Sequence, residues 1–188
     1  MKVATLNEML EEVVRLGEVT GTGEQAHELR GELEGRLATV RAAVGGVTVP
    51  RVVALERLVE PVRVAGLWVP EMIAIAGGED VAGSPGLAPA EVSWGALAGL
   101  RPDVVVVMVD GYVEDIQAQA MEVWEHIEGL GAGSVFAVST QAAFGDPSPR
   151  LIDGVELLAH LLHPDLIDAP GNVPFTRLRA PVRRPLGA

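Results

Sequence analysis

Aromatic residues make up only 4% of this 188-residue chain, so their positions carry information. Trp68, Tyr112 and Phe144 fall in three separate segments, each of which follows a stretch that reads as a β-strand. Asp110 and Gly111 stand beside Tyr112, and the same three segments carry Glu56, Arg57, Glu60, Gln141 and Asp146. Aromatic faces offer large contact area with few rotatable bonds. Several of them converging with a few polar groups suit a large flat ligand. Each ring can equally plug its own loop onto the core. The candidate ligand-binding residues are therefore Trp68, Asp110, Gly111, Tyr112 and Phe144.

Catalytic readings find less support. No Gly-x-Ser-x-Gly elbow presents a serine nucleophile, and Ser139-Thr140 has no neighbouring base. Gly17, Gly21 and Gly23 with Glu24 imitate a nucleotide loop. They follow a helical pattern instead of a strand and lack the phosphate-binding lysine, so they read as a helix–helix turn. His160 and His163 have the i, i+3 spacing of a metal pair but no third ligand nearby, and histidines at a helix end also suit its dipole. The pairs Glu79-Asp80 and Glu114-Asp115 are expected as helix caps or solvated acids. No catalytic residue, metal site or cofactor is assigned, and the chain reads as non-enzymatic.

The formal charge of −12 argues against nucleic acid as a partner, because phosphates require clustered Lys and Arg. Cysteine is absent, which removes disulfides and thiolate metal sites and leaves the compartment open. Mean hydropathy is +0.30. The longest apolar run, Val104 to Val109, falls well short of the roughly 20 residues that cross a bilayer. No signal peptide is visible before the acidic amphipathic start, which leaves a mature, truncated or cytoplasmic chain as readings.

The elements that must hold the candidate residues follow from periodicity. Leu6, Met9, Leu10, Val13 and Val14 mark an amphipathic helix, with Thr5 or Asn7 as its cap. After Thr20-Gly21-Thr22-Gly23 a second helix runs from about Glu24 to Val44 and stops at Gly45-Gly46, with Leu29, Leu33, Leu37, Val40 and Val44 on one face. It is roughly 30 Å long, enough to cross a small domain. Strand and helix then alternate: a strand at 51–55, a loop with Pro61 and Gly66, helix 70–76, a short helix from Ser93, and strand 103–109. Helix 113–128, strand 134–138 and helix 149–162 complete the series. Unbroken β-branched runs suit parallel strands covered on both faces, so the fold class is α/β, a three-layer lobe on a parallel sheet preceded by a long helix. In such sheets ligands bind beyond the carboxyl ends of the strands, where the three loops lie. The Pro-, Gly- and Arg-rich tail, with Arg177, Arg179, Arg183 and Arg184, reads as a solvated terminus.

Several of these segments together resemble the second lobe of cobalamin-binding solute receptors of ABC importers, the helical-backbone class. They are Glu60–Met72, Ala76–Val81, Val92-Ser93-Trp94, Arg101-Pro102-Asp103 into Val107-Met108, Gly111-Tyr112, Pro149–Leu158 and His160–Pro164. The resemblance covers about Thr5 to Leu166. It implies two α/β lobes joined by one long helix, a cleft between them for a corrinoid or related metal chelate, and delivery to a membrane permease. It also implies a periplasmic or extracellular location. By that resemblance residues 1–20 are a remnant of a first lobe's last helix, 21–46 the connecting helix, 47–168 the solute-binding lobe and 169–188 a basic tail. Trp68, the Gly111-Tyr112 loop and Phe144 would face the cleft.

Departures from the pattern carry their own expectations. By that resemblance a first lobe is expected before the connecting helix, and these 188 residues do not include it. Gly95 stands where relatives often place a glutamate that docks onto permease arginines, which makes that docking doubtful. Ala142, Ala143 and Asp146 replace aromatic and basic residues around Phe144, and Asp110 stands where a small or thiol residue is common. A pocket usually covers about 70–90% of its ligand, so one wall alone implies weak binding of a corrinoid or iron chelate. Bare apolar surface on the Leu6–Val14 helix and the cleft face implies a homo-oligomer or a separately encoded first lobe. The two function classes are an importer's solute-binding component, here a partial receptor, and a ligand-free interaction or scaffold domain derived from that fold. Cobalamin, cobinamide, haem and ferric siderophores all remain candidate ligands.

Overall fold

A computed structural model describes residues 3–180. The chain opens with a helical hairpin. Helix α1 (Leu6–Thr20) starts at a capping box, in which the Thr5 side chain accepts from the Glu8 backbone and the Glu8 carboxylate reaches back to Thr5. It ends at Gly21 in the left-handed conformation, φ 78°. Helix α2 (Gly23–Ala43) returns against it. Gly17 makes this close approach possible, since a Cβ there would overlap the Cβ of Ala26.

The rest of the described residues form one seven-stranded sheet with helices on both faces. Its strands are β1 (Arg51–Arg57), β2 (Val62–Val64), β3 (Glu79–Asp80), β4 (Ala90–Val92), β5 (Val104–Val107), β6 (Ser134–Val138) and β7 (Phe175–Leu178). The order is β4-β2-β1-β5-β6-β7, with β3 beside the start of β1. β1, β5 and β6 are mutually parallel in the centre, while β2 and β4 on one side and β7 on the other add antiparallel pairings.

Side-chain alternation divides the central strands between two cores. Val52, Ala54, Val104, Val106, Phe136 and Val138 enter one core with α3 (Val69–Ile75), α8 (Leu151–Leu162) and the α1–α2 hairpin. Val53, Leu55, Val105, Val107, Val135 and Ala137 enter the other with α4 (Trp94–Ala98), α5 (Val113–Glu122) and α6 (Trp124–Glu128). The three-layer α/β reading holds, and the all-apolar strands are explained by cover on both sides. Helix α8 packs against both α2 and α3 and buries Leu157 and Leu161 in addition to its expected face.

Several expectations need correction. The loop around Pro61 and the Gly83–Pro89 stretch flank short strands β2 and β4, which at three residues each are too short to show a period. Helix 113–128 is two helices, broken at Val123 (φ −112°, ψ 20°) with no Pro or Gly to announce it. A four-residue helix α7 (Thr140–Ala143) follows β6. The expected bare face of α1 is covered: Leu6, Met9 and Leu10 are buried against α2 and the α3 region, and Glu71 of α3 accepts from the Leu6 backbone at 2.8 Å. Part of the expected solvated tail is strand β7, paired to β6 along Val135–Val138, with Arg177 over the Phe136 ring at 6.0 Å. Arg183 and Arg184 lie outside the described residues.

The paired acids at 79–80 do not cap a helix. Glu79 faces Arg51 at 3.6 Å, and Asp80 closes a turn by accepting from the backbones of Ala82 and Gly83. Glu114 and Asp115 do lie in the first turn of α5. Among the described residues no helix is long and apolar enough to cross a membrane.

Candidate functional site

A groove of about 230 Å³ opens at the carboxyl ends of β1, β5 and β6, the position that open parallel sheets offer to ligands. Three connections build it. The first runs from β1 through the β2 hairpin to α3. Glu56 and Arg63 come from its two strands, and their side chains stand 3.3 Å apart. Leu67 then adopts φ 54°, a left-handed backbone that non-glycine residues seldom take. The chain thereby turns between Gly66 and the start of α3.

That turn sends Trp68 inward. The indole is 6% exposed, and its Nε1 donates to the carbonyl of Phe144 at 2.9 Å. Phe144 itself is 3% exposed. It fits because α8 has Gly154 opposite: a Cβ there would lie 3.0 Å from the ring and 2.6 Å from the carbonyl oxygen of Ala143. The first and third connections are thus locked together by one buried hydrogen bond.

The second and third connections are joined by Thr140, whose hydroxyl lies 2.8 Å from the carbonyl oxygens of both Met108 and Val109. Asp110 is exposed at the groove's edge. Tyr112 is 76% exposed and stands apart from the groove, as does Gly111. Of the five candidate residues, the fold brings Trp68, Asp110 and Phe144 to one groove and leaves Gly111 and Tyr112 beside it. No continuous aromatic wall results, because Trp68 and Phe144 turn most of their surface into the core.

Glu56, Arg63 and Thr140 join the groove without being among the five candidates. Glu56 is visible in the sequence as a strand-end acid, while Arg63 is hidden because β2 gives no strand signal. Burial pushes the Glu56 carboxyl above its ordinary range, and Arg63 pulls it back down. Another depression, about 320 Å³ around Trp124, sits at the opposite, amino-terminal end of the strands. His160 and His163 hold separate carbonyls, those of Ile167 at 2.8 Å and Gly77 at 3.2 Å. Among the described residues no group of three or more His, Asp or Glu is arranged for a metal.

No family model matches the sequence, and no curated protein matches it significantly. Solved structures do. An ABC transporter substrate-binding protein from Listeria monocytogenes superposes with a TM-score of 0.75 at 17% identity, over 86% of this chain and 66% of its own. A periplasmic heme binding protein from Pseudomonas aeruginosa gives 0.74 at 20% identity, over 95% of this chain and 67% of its own. The vitamin B12 binding protein BtuF of Vibrio cholerae gives 0.67 at 19%, over 86% and 62%.

The fold is that of a periplasmic binding protein lobe. The chain spans about two thirds of the length of these binding proteins, or somewhat less. At such low identity the likeness concerns architecture, and the groove sits where this lobe architecture leaves the strand ends open.

Proposed function

We propose that this chain is a non-enzymatic ligand-binding lobe of an ABC-importer receptor, presenting one wall of a site for a corrinoid, haem or iron-chelate ligand. The observation that carries the reading is the groove at the ends of β1, β5 and β6, lined by Trp68, Asp110 and Phe144, within a binding-protein fold. Solved neighbours named as haem, Fe3+-hydroxamate and vitamin B12 binding or transport proteins support a metal chelate as the ligand class. A periplasmic or extracellular location follows from the same reading.

A groove of about 230 Å³ is below the roughly 300–1,000 Å³ of pockets that enclose a drug-sized ligand. The described residues alone therefore bind a large chelate weakly, and a second wall completes the site. Gly95 is exposed on α4, and a Cβ placed on it would meet no atom closer than 4.0 Å. A side chain would fit, so its absence reflects no crowding, and the receptor's contact with a permease is weakened at this point.

A second reading, an interaction domain that has kept the fold and lost the ligand, draws support from the inward-turned Trp68 and Phe144. Fluorescence and calorimetric titrations with cyanocobalamin, haemin and an iron(III) trihydroxamate separate the two. Saturable binding in the range of about 10–500 μM supports the receptor reading. Sub-micromolar affinity overturns the one-wall account, and no binding by any chelate at about 1 mM favours the interaction domain.

A further inference from the structure

The groove's polar groups are unequally distributed between hydrogen-bond donors and acceptors, and this bears on which chelates it takes. Its neutral side-chain donors, and several of its backbone donors, are already engaged. The Trp68 indole gives its proton to the Phe144 carbonyl. The Thr140 hydroxyl gives its proton to the carbonyls of Met108 and Val109, so its oxygen can only accept from the groove side. The backbone N–H groups of Leu67, Val69, Met108 and Gly145 all end on backbone carbonyls.

The side chains that remain are mostly acceptor and negative. Asp110 is exposed at the edge. Glu56 lies deeper, beside Arg63 at 3.3 Å. Arg63 is the one cationic residue lining the groove among the described residues, and its charge is offset by Glu56. The local sum is one positive and two negative groups, in a chain whose formal charge is already −12.

We infer that the groove selects neutral or cationic chelates whose facing edge donates hydrogen bonds, and that Asp110 is the residue that turns away anionic ones. The inference rests on the receptor reading and narrows its ligand class. A carboxylate-bearing chelate such as haem would bring its anions against Asp110, with only the already offset Arg63 to receive them. An amide- or ammonium-bearing chelate meets acceptors instead.

The test holds the iron(III)-binding part of the chelate constant and reverses the charge of its terminal group. Iron(III) desferrioxamine B carries a terminal ammonium, and succinylation of that amine converts it to a carboxylate. Both forms, with haemin and cyanocobalamin, are titrated against the wild-type chain and against Asp110→Asn and Glu56→Gln, with circular dichroism confirming the fold of each variant. One exposed carboxylate at the groove edge separates the cation from the anion by roughly five- to tenfold in Kd. The expected result is that the ammonium form binds more tightly by that margin, that raised salt narrows it, and that Asp110→Asn removes it. Glu56→Gln releases Arg63 and shifts the preference toward the succinylated form. Equal or tighter binding of the succinylated form or of haemin by the wild type overturns the charge inference and leaves the receptor reading standing, as does an unchanged preference in Asp110→Asn. If no member of the panel binds, the receptor reading falls and this inference with it.

Discussion

Replacing Trp68 with Phe distinguishes a ring that locks two loops from one that waits for a ligand. The substitution keeps an aromatic ring beneath the groove but removes Nε1, whose hydrogen bond to the Phe144 carbonyl is 2.9 Å long and buried. Leaving that carbonyl without its donor costs about 1–3 kcal/mol. The smaller ring also gives up buried apolar area. At about 25 cal/mol per Å², a loss of roughly 40 Å² adds about 1 kcal/mol. The expected destabilisation is therefore about 2–4 kcal/mol, measured by urea denaturation followed by far-UV circular dichroism. Because the bond joins the α3 turn to the α7 loop, hydrogen exchange should accelerate at both 66–69 and 140–145 and leave β1 and β5 unaffected until global unfolding. A cost below about 0.5 kcal/mol would refute the reasoning, since it would mean that the indole is not sealed against Phe144.

Other perturbations test other parts of the structure. The Asp80 carboxyl is pushed above its ordinary range by burial, despite two backbone N–H bonds, and its Oδ2 has no partner. The folded state therefore binds this proton more tightly than the unfolded one, so stability from this group is present at low pH and declines as pH rises from the unfolded pKa through the raised folded one. Asp80→Asn should flatten that decline and match or exceed wild-type stability at pH 7, as thermal melts from acid to neutral pH will show. Gly17→Ala should cost about 1–3 kcal/mol through forced separation of α1 and α2, whereas Gly35→Ala, with open space around it, should be neutral or slightly stabilising in the same denaturation assay. Arg36 bridges α2 to Asp153 and Glu156 of α8, but it is partly exposed, so Arg36→Met should cost about 1 kcal/mol or less and its effect should shrink in high salt. Truncation after Pro174 removes β7 and with it buried Leu178, leaving the β6 edge unpaired. The shortened chain should melt lower and associate, as light scattering will report.

The layered α/β class, the helix pair before it and the central strands are legible in the order of amino acids. Each rests on a long signal: the 3–4 spacing from Leu6 to Val44, or unbroken β-branched runs such as Val104–Val107 that suit a doubly covered parallel strand. The carboxyl-end loops are legible as well, because strand direction follows from alternation with helices. Which way the aromatics face emerges only on folding. Trp68 and Phe144 turn inward because a left-handed Leu67 and a side-chain-free Gly154 give them room, whereas Tyr112 has no such recess and stays in solvent. The short outer strands β2, β4 and β7 emerge in the same way. Three or four residues carry too little periodicity to declare themselves, and they are held by backbone bonds to their neighbours in the sheet. The charge pattern of the groove belongs to the same class: Glu56, Arg63, Asp110 and Thr140 come from separate stretches of the chain and acquire a common chemistry only when the sheet brings its strand ends together.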